Sequence, residues 1–153
     1  FASKRFDLEN DVRLHIATAG ALLNESIYNT KLDYKTLLHL TGYLTQNPVQ
    51  VDEMFRRMVF NVMTDKQDDH AKNFSFICRD GKWLLSPAYD LTRSPEGYKG
   101  EHATSVNGSG LPTIENMLAV GETIRIPRKK GQIIIDSLIE GCRDILSHRF
   151  KVC

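Results

Sequence analysis

Two groups of polar residues carry the side-chain types that phosphoryl transfer needs. The stretch Asp68-Asp69-His70-Ala71-Lys72-Asn73 lies between two apolar segments, and Asp90 stands 17 positions beyond Asn73. Phosphoryl transfer requires a carboxylate that accepts the proton of the acceptor hydroxyl, together with oxygen ligands for Mg²⁺ on the ATP phosphates. Asp68, Asn73 and Asp90 supply that set. An amide oxygen binds a hard cation without adding charge, and Asp90 contributes the charge that anchors the metal.

The same residues allow other interpretations. His70 could share the proton of Asp68 or support a phosphate as imidazolium, but it could equally hydrogen-bond the loop into shape. Asp69 and Lys72 are more typical of solvated loop charges, although Lys72 could contact the γ-phosphate. Asp90 could be a helix N-cap. Taken alone, the stretch would be a polar loop in most proteins, and kinase chemistry is one hypothesis for it.

The flanking elements predict how these residues are positioned. After Pro48, apolar residues recur at three- and four-residue intervals, which predicts an amphipathic helix whose stripe packs in the core rather than forming a partner groove. Asp80-Gly81 separates two apolar runs and predicts a β-hairpin from about Phe74 to Leu85. The helix thus delivers the Asp68 loop to a fixed place, and the hairpin folds Asp90 close to it.

The rest of the chain predicts a mainly α fold with this one small antiparallel β-hairpin. Further helices are expected at Leu14 to Leu23, Tyr34 to Leu44, Thr113 to Val120 and about Lys129 to Phe150. An extended segment, Phe1 to Asp7, precedes a polar turn or cap at Glu9 to Asp11. Residues 92–113 lack periodicity, which is typical of a functional or disordered loop, and Asn107 to Gly110 predict a flexible turn.

Composition excludes several classes of protein. The 153 residues are 41% hydrophobic, which suffices for one core, and 20 basic residues against 19 acidic ones leave no basic stripe for nucleic acid. Three cysteines without C-x-x-C spacing disfavour a disulfide framework and a zinc site. No apolar run is long enough to cross a membrane. We therefore expect a cytoplasmic protein that binds neither membrane nor nucleic acid directly.

Several motifs occur in an order that closely resembles the signature of HipA-like serine/threonine kinases. They are Phe60-Asn61, the block from Asp68 to Phe76 and the block Leu85-Ser86-Pro87-Ala88-Tyr89-Asp90-Leu91, with Lys4-Arg5-Phe6-Asp7 similar to the family's hinge. The resemblance covers essentially the whole chain. It implies a protein-kinase-like C-lobe related in arrangement to lipid kinases, with the catalytic-loop order Asp-x-His-x-x-Asn.

The resemblance also implies a role for each site residue. Asp68 would be the catalytic base with His70 beside it, and Asn73 and Asp90 would be the metal ligands. In the hinge, the Lys4 carbonyl and the Phe6 amide would bind adenine, with Asp7 near the ribose and Lys72 near the phosphates. The cofactors would be ATP and Mg²⁺. Residues 92–112 would form a substrate-facing segment.

The resemblance further implies a larger enzyme. Residues 1–153 would form a C-terminal lobe that begins at the hinge, without the N-terminal lobe that carries the glycine-rich loop and the phosphate-binding lysine. The chain by itself is therefore expected to be inactive. Kinases of this family are toxins that typically phosphorylate an aminoacyl-tRNA synthetase and are restrained by a small DNA-binding antitoxin of the HipB type.

Two alternatives from other classes remain. A metallophosphoesterase is possible because Asp68-x-His70 resembles the opening of that family's metal site, although that motif should follow a buried strand and be joined by Gly-Asn-His, which is absent. A non-catalytic interaction module, in which a kinase lobe serves as a scaffold, is the other. Retention of Asp68, Asn73 and Asp90 together favours a working site over a decayed one.

Overall fold

The computed structural model describes residues 5–25, 32–96 and 100–143. These contain five α-helices, one 3₁₀ turn and two antiparallel sheets. The helices are α1 (Ala19–Leu23), α2 (Tyr34–Thr45), α3 (Pro48–Met63), α4 (Ile114–Thr123) and α5 (Arg128–Gly141), and the strands are β1 (Leu8–Glu9), β2 (Val12–Arg13), β3 (His15–Thr18), β4 (Ser75–Arg79) and β5 (Lys82–Leu85). The 3₁₀ turn spans Ala71–Asn73. The prediction of several helices with antiparallel strands is confirmed, but the sheet has more strands than one hairpin.

Helix α3 is the central element. Asn47 caps it by accepting a hydrogen bond from the Val49 amide at 2.9 Å, and Pro48 occupies its first turn, where a missing amide hydrogen costs nothing. The predicted apolar stripe is buried, with Met54, Phe55, Met58 and Val59 fully enclosed. The stripe therefore belongs to the core, as the spacing predicted, and is not a groove for a partner.

Helices α4 and α5 pack against α3 through glycines. A Cβ atom built on Gly121 would lie 2.9 Å from the Phe55 ring, and one on Gly131 would lie 3.6 Å from it. The absent side chains let both helices approach Phe55 closely. The predicted continuation of α5 to Phe150 lies outside the described residues, and within them the helix ends at Gly141.

The predicted hairpin is present and has a third strand. Strands β4 and β5 pair antiparallel around Asp80 and Gly81, whose φ angles of 48° and 73° are those of the tight turn that Asp-Gly favours. Strand β3 pairs with the free edge of β4, from His15 opposite Cys78 to Thr18 opposite Ser75. The prediction of a helix from Leu14 to Leu23 is thus wrong for its first half. Only Ala19–Leu23 is helical, because pairing with β4 overrides the local apolar pattern.

The N-terminal segment forms a small hairpin of its own. Strands β1 and β2 pair around Asn10 and Asp11, both of which have positive φ. The polar turn predicted at Glu9 to Asp11 is confirmed.

The long loop after residue 91 contains no helix or strand within its described part, but much of it is packed. His102, Ala103, Thr104 and Val106 are buried. Asn107 and Gly108 form a two-residue turn in which the Val106 and Ser109 backbones exchange hydrogen bonds, and the Asp33 carboxylate accepts a hydrogen bond from the Gly108 amide at 2.8 Å. The turn predicted at Asn107 to Gly110 is present, and Asp33 fastens it to the start of α2.

Cys78 and Cys142 are free thiols, and Cys153 lies outside the described residues. Within the described ranges, every helix is too short or too polar to cross a bilayer.

Candidate functional site

The loop that carries Asp68 and Asn73 joins α3 to β4. The chain leaves α3 through Asp65, which has a positive φ of 52°, and the 3₁₀ turn ends at Asn73. The Asn73 side-chain Nδ2 donates to the Asp68 carbonyl at 2.7 Å, and the Asp68 amide donates to Ser94 Oγ at 3.0 Å. Both backbone polar groups of Asp68 are thereby hydrogen-bonded, while its side chain remains 57% exposed. A carboxylate on a fixed backbone with an open side chain can meet an incoming hydroxyl.

Asp90 returns to this loop across the open end of the hairpin. The Ser86 amide donates to the Ser75 carbonyl at 2.9 Å, which extends the pairing beyond β5. The Tyr89 hydroxyl then donates to the Lys72 carbonyl and shares a hydrogen bond with Ser75 Oγ. Burial raises the pKa of Tyr89, so its hydroxyl stays protonated and able to donate.

Lys66 connects the two halves of the site. Its side chain is 2% exposed, and its Nζ donates to the Asp68 carbonyl at 2.7 Å and lies 3.7 Å from Asp90 Oδ2. Asp68, Asn73 and Asp90 therefore meet around one ammonium group and one carbonyl. Sequence reasoning missed Lys66, because a lysine in a charged run carries no local signal of burial.

Asp69 is not a solvated loop charge, as predicted, but a fully buried side chain. The Tyr34 hydroxyl donates to its Oδ2 at 2.8 Å, His102 Nδ1 lies 3.0 Å from the same oxygen, and the Thr104 amide donates to Oδ1 at 3.1 Å. The prediction failed because these partners lie more than 30 positions away in the sequence. A buried carboxyl group with three partners fixes the backbone next to Asp68.

Tyr34, which donates to Asp69, is itself part of a buried hydrogen-bond network. It is the first residue of α2, and its hydroxyl accepts a hydrogen bond from Asn61 Nδ2 at 2.8 Å while donating to Asp69. Burial, and next the nearby charge of Asp69, hold the pKa of Tyr34 well above its usual 10.0. The loop is thus tied to α2 and α3 by neutral donors.

His70 and Lys72 occupy different environments. His70 Nε2 lies 3.7 Å from Asp68 Oδ1, within ion-pair range but too far for a good hydrogen bond, and Nδ1 is buried without a hydrogen-bond partner among the described residues. Lys72 is exposed on the 3₁₀ turn and its carbonyl is held by Tyr89. His70 is therefore beside the proposed base, whereas the Lys72 side chain points to solvent.

Of the four residues that resemble the hinge, Lys4 to Asp7, Lys4 lies outside the described residues. The Phe6 ring stacks on Tyr89 with centroids 5.7 Å apart, which places the hinge against the segment that carries Asp90. Asp7 pairs with Arg5, whose hydrogen bond lowers the pKa of that carboxyl, and the Asp7 carbonyl accepts from the Leu14 amide at 2.9 Å. Phe6 therefore contacts the segment that carries Asp90, whereas Arg5 engages the Asp7 carboxylate.

The donor set fits a magnesium ion held with a nucleotide. Because Asn73 uses its Nδ2 toward Asp68, its amide oxygen is the end free to bind a cation, and the Asp90 carboxylate is half exposed. Mg²⁺ prefers one or two such oxygen ligands and takes its others from water and phosphate. Among the described residues no three His, Cys, Asp or Glu side chains cluster as a metal cage. The residues thus suit a metal that arrives with phosphates better than one held by protein alone.

Comparison with known proteins places the chain in a family. The family described as HipA-like C-terminal domain matches residues 1–145. The fold is similar to a chain in the solved toxin–antitoxin complex of HipA, HipB and operator DNA from Shewanella oneidensis MR-1, with a TM-score of 0.76 and 20% sequence identity. That match covers 90% of the present chain but 38% of the Shewanella chain, so the present chain spans well under half of its relative. No curated protein matches significantly. The chain belongs to the HipA-like C-terminal domain family.

Proposed function

We propose that this HipA-like C-terminal domain is the catalytic, metal-binding lobe of an ATP-dependent serine/threonine protein kinase of the toxin type. The proposed fold is a protein-kinase-like C-lobe, in which the loop after α3 is the catalytic loop. Asp90 is the metal ligand that precedes the substrate-facing segment. The lobe would work together with an N-terminal lobe that covers the phosphates.

One observation carries the proposal. The Asp68 carbonyl accepts hydrogen bonds from both Asn73 and Lys66, and Lys66 also faces Asp90. Three residues that stand up to 22 positions apart in the sequence are thereby fastened into one exposed cluster. A carboxylate, an amide and a second carboxylate in that order are the side chains that phosphoryl transfer uses.

Each residue has a distinct role in this proposal. The Asp68 carboxylate orients the acceptor hydroxyl and takes its proton, and His70 Nε2, 3.7 Å away, supports the negative charge of that carboxylate. The Asn73 amide oxygen and the Asp90 carboxylate would hold Mg²⁺, which when bound neutralises charge on the transferring phosphate. The Phe6 amide and the Lys4 carbonyl would bind adenine, with Asp7 at the ribose and Lys72 reaching the γ-phosphate.

The solved relative supports the proposed antitoxin partner, and the proposed substrate is suggested by the family resemblance alone. That relative is described in a complex with HipB and operator DNA. We propose that the full-length protein binds a HipB-like antitoxin and that its protein substrate is similar to an aminoacyl-tRNA synthetase. The loop that follows Asp90, which Thr104 anchors on Asp69, would face that substrate. We also predict that this chain itself makes no direct contact with nucleic acid.

A metallophosphoesterase fits the structure less well. Asp68 follows helix α3 rather than a buried strand, and the described residues lack a cluster of three metal-binding side chains. A non-catalytic scaffold would have the same fold, but it would not need an exposed Asp68 side chain on a backbone fixed by two hydrogen bonds. An activity measurement distinguishes the scaffold from the kinase.

The test is phosphoryl transfer by the full-length protein. Radiolabel from [γ-³²P]ATP should appear on serine or threonine of an acceptor protein with wild type and be reduced to background by Asp68→Asn. Asp136→Asn on the exposed face of α5 is the matched control and should leave transfer unchanged. Equal labelling by Asp68→Asn and wild type would overturn the assignment of the base, and no labelling by any protein would favour the scaffold.

A further inference from the structure

The buried cation at the centre of the site is not needed by the proposed chemistry. Lys66 follows the end of α3, its amide donates to the Asn61 carbonyl at 3.0 Å, and its side chain is 2% exposed. Burying an ammonium group is unfavourable unless partners replace its water. The groups that Lys66 contacts must therefore compensate for the loss of hydration of its ammonium group.

Those contacts divide between the two halves of the site. Nζ makes a hydrogen bond of 2.7 Å to the Asp68 carbonyl, whereas its 3.7 Å separation from Asp90 Oδ2 is an ion pair without a short hydrogen bond. The Asp68 carbonyl accepts from Asn73 as well. Lys66 thus fixes the backbone of the proposed base and places its charge beside the proposed metal ligand.

We propose that Lys66 is a built-in counter-ion of the metal site, which keeps Asp90 and the Asp68 loop assembled without metal and weakens binding of the free metal ion. This inference rests on the proposed function, because it takes Asp90 as a metal ligand. It adds the prediction that the site accepts the metal together with a nucleotide rather than alone.

The physical reason is electrostatic. Because the stem of Lys66 is enclosed and Nζ is tied to a backbone carbonyl, the ammonium cannot move away when a cation binds Asp90. Two positive charges on opposite sides of one carboxylate repel, and even with the screening of bulk water this repulsion weakens binding of a free divalent ion by about tenfold. A metal–triphosphate complex is negative overall, so the same ammonium attracts it.

The experiment measures Mn²⁺ binding to the full-length protein by the free-ion electron paramagnetic resonance signal. Lys66→Gln removes the charge while keeping a hydrogen-bond donor, and Lys66→Met removes both. Lys82→Met at the exposed start of β5 is the matched control, and circular dichroism checks that each variant folds. We expect both Lys66 variants to bind Mn²⁺ alone about tenfold more tightly than wild type, with Lys82→Met unchanged.

A second titration, with Mn²⁺ and a non-hydrolysable ATP analogue, separates this inference from the proposed function. If wild type binds the complex and Asp90→Asn does not, the proposed site stands. Free-Mn²⁺ affinities of both Lys66 variants equal to wild type would then overturn the counter-ion role alone. If Asp90→Asn binds as well as wild type, the metal site and this inference both fail. Unfolding of both Lys66 variants beside a folded Lys82→Met would make Lys66 a structural residue and would also overturn the proposal.

Discussion

The Tyr34 hydroxyl donates a 2.8 Å hydrogen bond to Asp69 although 35 positions separate them, and neither side chain is exposed. Tyr34 starts α2, and Asp69 follows the proposed base directly in the sequence. Through this bond, and through His102 and Thr104 as further partners of Asp69, the position of the loop that carries Asp68 depends on the core. Stability and site geometry are therefore coupled at Asp69.

Asp69→Ala should destabilise the fold strongly. It leaves the Tyr34 hydroxyl and the Thr104 amide buried without their acceptor, and loss of a buried charged or multiply bonded partner costs about 3–5 kcal/mol. Tyr34→Phe removes one donor to Asp69 and should cost about 1–3 kcal/mol. Urea unfolding followed by circular dichroism measures both values. Asp136→Ala, on the exposed face of α5, should stay within about 0.5 kcal/mol of wild type. If Asp69→Ala lowers the free energy of unfolding as little as this control does, the hydrogen bonds of Asp69 do not hold the loop in place.

Stability should fall at alkaline pH through Tyr34. Its pKa in the folded protein lies well above the 10.0 of an unperturbed tyrosine because the ring is buried beside Asp69. A group whose folded pKa is raised stabilises the fold below its unfolded pKa, and that contribution is lost as pH rises toward the folded pKa. The free energy of unfolding should thus decrease above about pH 10.

The tyrosine variants test this pH dependence. Tyr34→Phe should flatten the decrease, because phenylalanine does not titrate. Tyr43→Phe is the control, since Tyr43 is 80% exposed. Chemical denaturation at several pH values between about 9 and 11 gives the slopes. If the free energy of unfolding of Tyr34→Phe decreases with pH as steeply as that of Tyr43→Phe and wild type, Tyr34 does not cause the loss of stability at alkaline pH.

Local signals predicted the elements that position the site. Asp80-Gly81 encodes its turn through two adjacent residues, and the stripe of α3 repeats over four turns, so both predictions needed no knowledge of distant contacts. Strand β3 could not be predicted in this way. His15 to Thr18 become a strand because β4 offers a free edge, and that edge lies about 60 positions further along the chain.

The buried polar residues of the site could not be predicted either, because their contacts are distant in sequence. A run of charged residues is expected to be solvated unless the partners of each charge are known, and partners of Asp69 and Lys66 lie in other segments. The order of Asp68, Asn73 and Asp90 identified the cluster through resemblance, whereas spacing alone left a polar loop. Chemistry and resemblance therefore singled out Asp68, Asn73 and Asp90, and no local signal indicated the buried residues that hold them.

The chain expressed by itself should fold and should not transfer phosphate. Its core is closed by α2 to α5 around Phe55 and Met58. In the proposed enzyme, the glycine-rich loop and the phosphate-binding lysine would come from a separate N-terminal lobe. Transfer depends on positioning and on electrostatic stabilisation, so loss of these groups should lower the rate by several orders of magnitude. Circular dichroism and radiolabel transfer from ATP, with and without the upstream lobe, measure both properties. Robust transfer by the isolated chain would refute the division of roles between lobes.

Titration of MgATP into full-length wild type, Asp68→Ala and Asp90→Ala in a calorimeter distinguishes the roles proposed for the two carboxylates. Asp68→Ala should bind MgATP nearly as wild type does, because Asp68 is proposed to act on the acceptor hydroxyl, while it should lose phosphoryl transfer. Asp90→Ala should lose the Mg²⁺-dependent part of nucleotide binding, because the Asp90 carboxylate is proposed to anchor the metal. Equal MgATP affinity in wild type and Asp90→Ala would refute the assignment of Asp90 as a metal ligand.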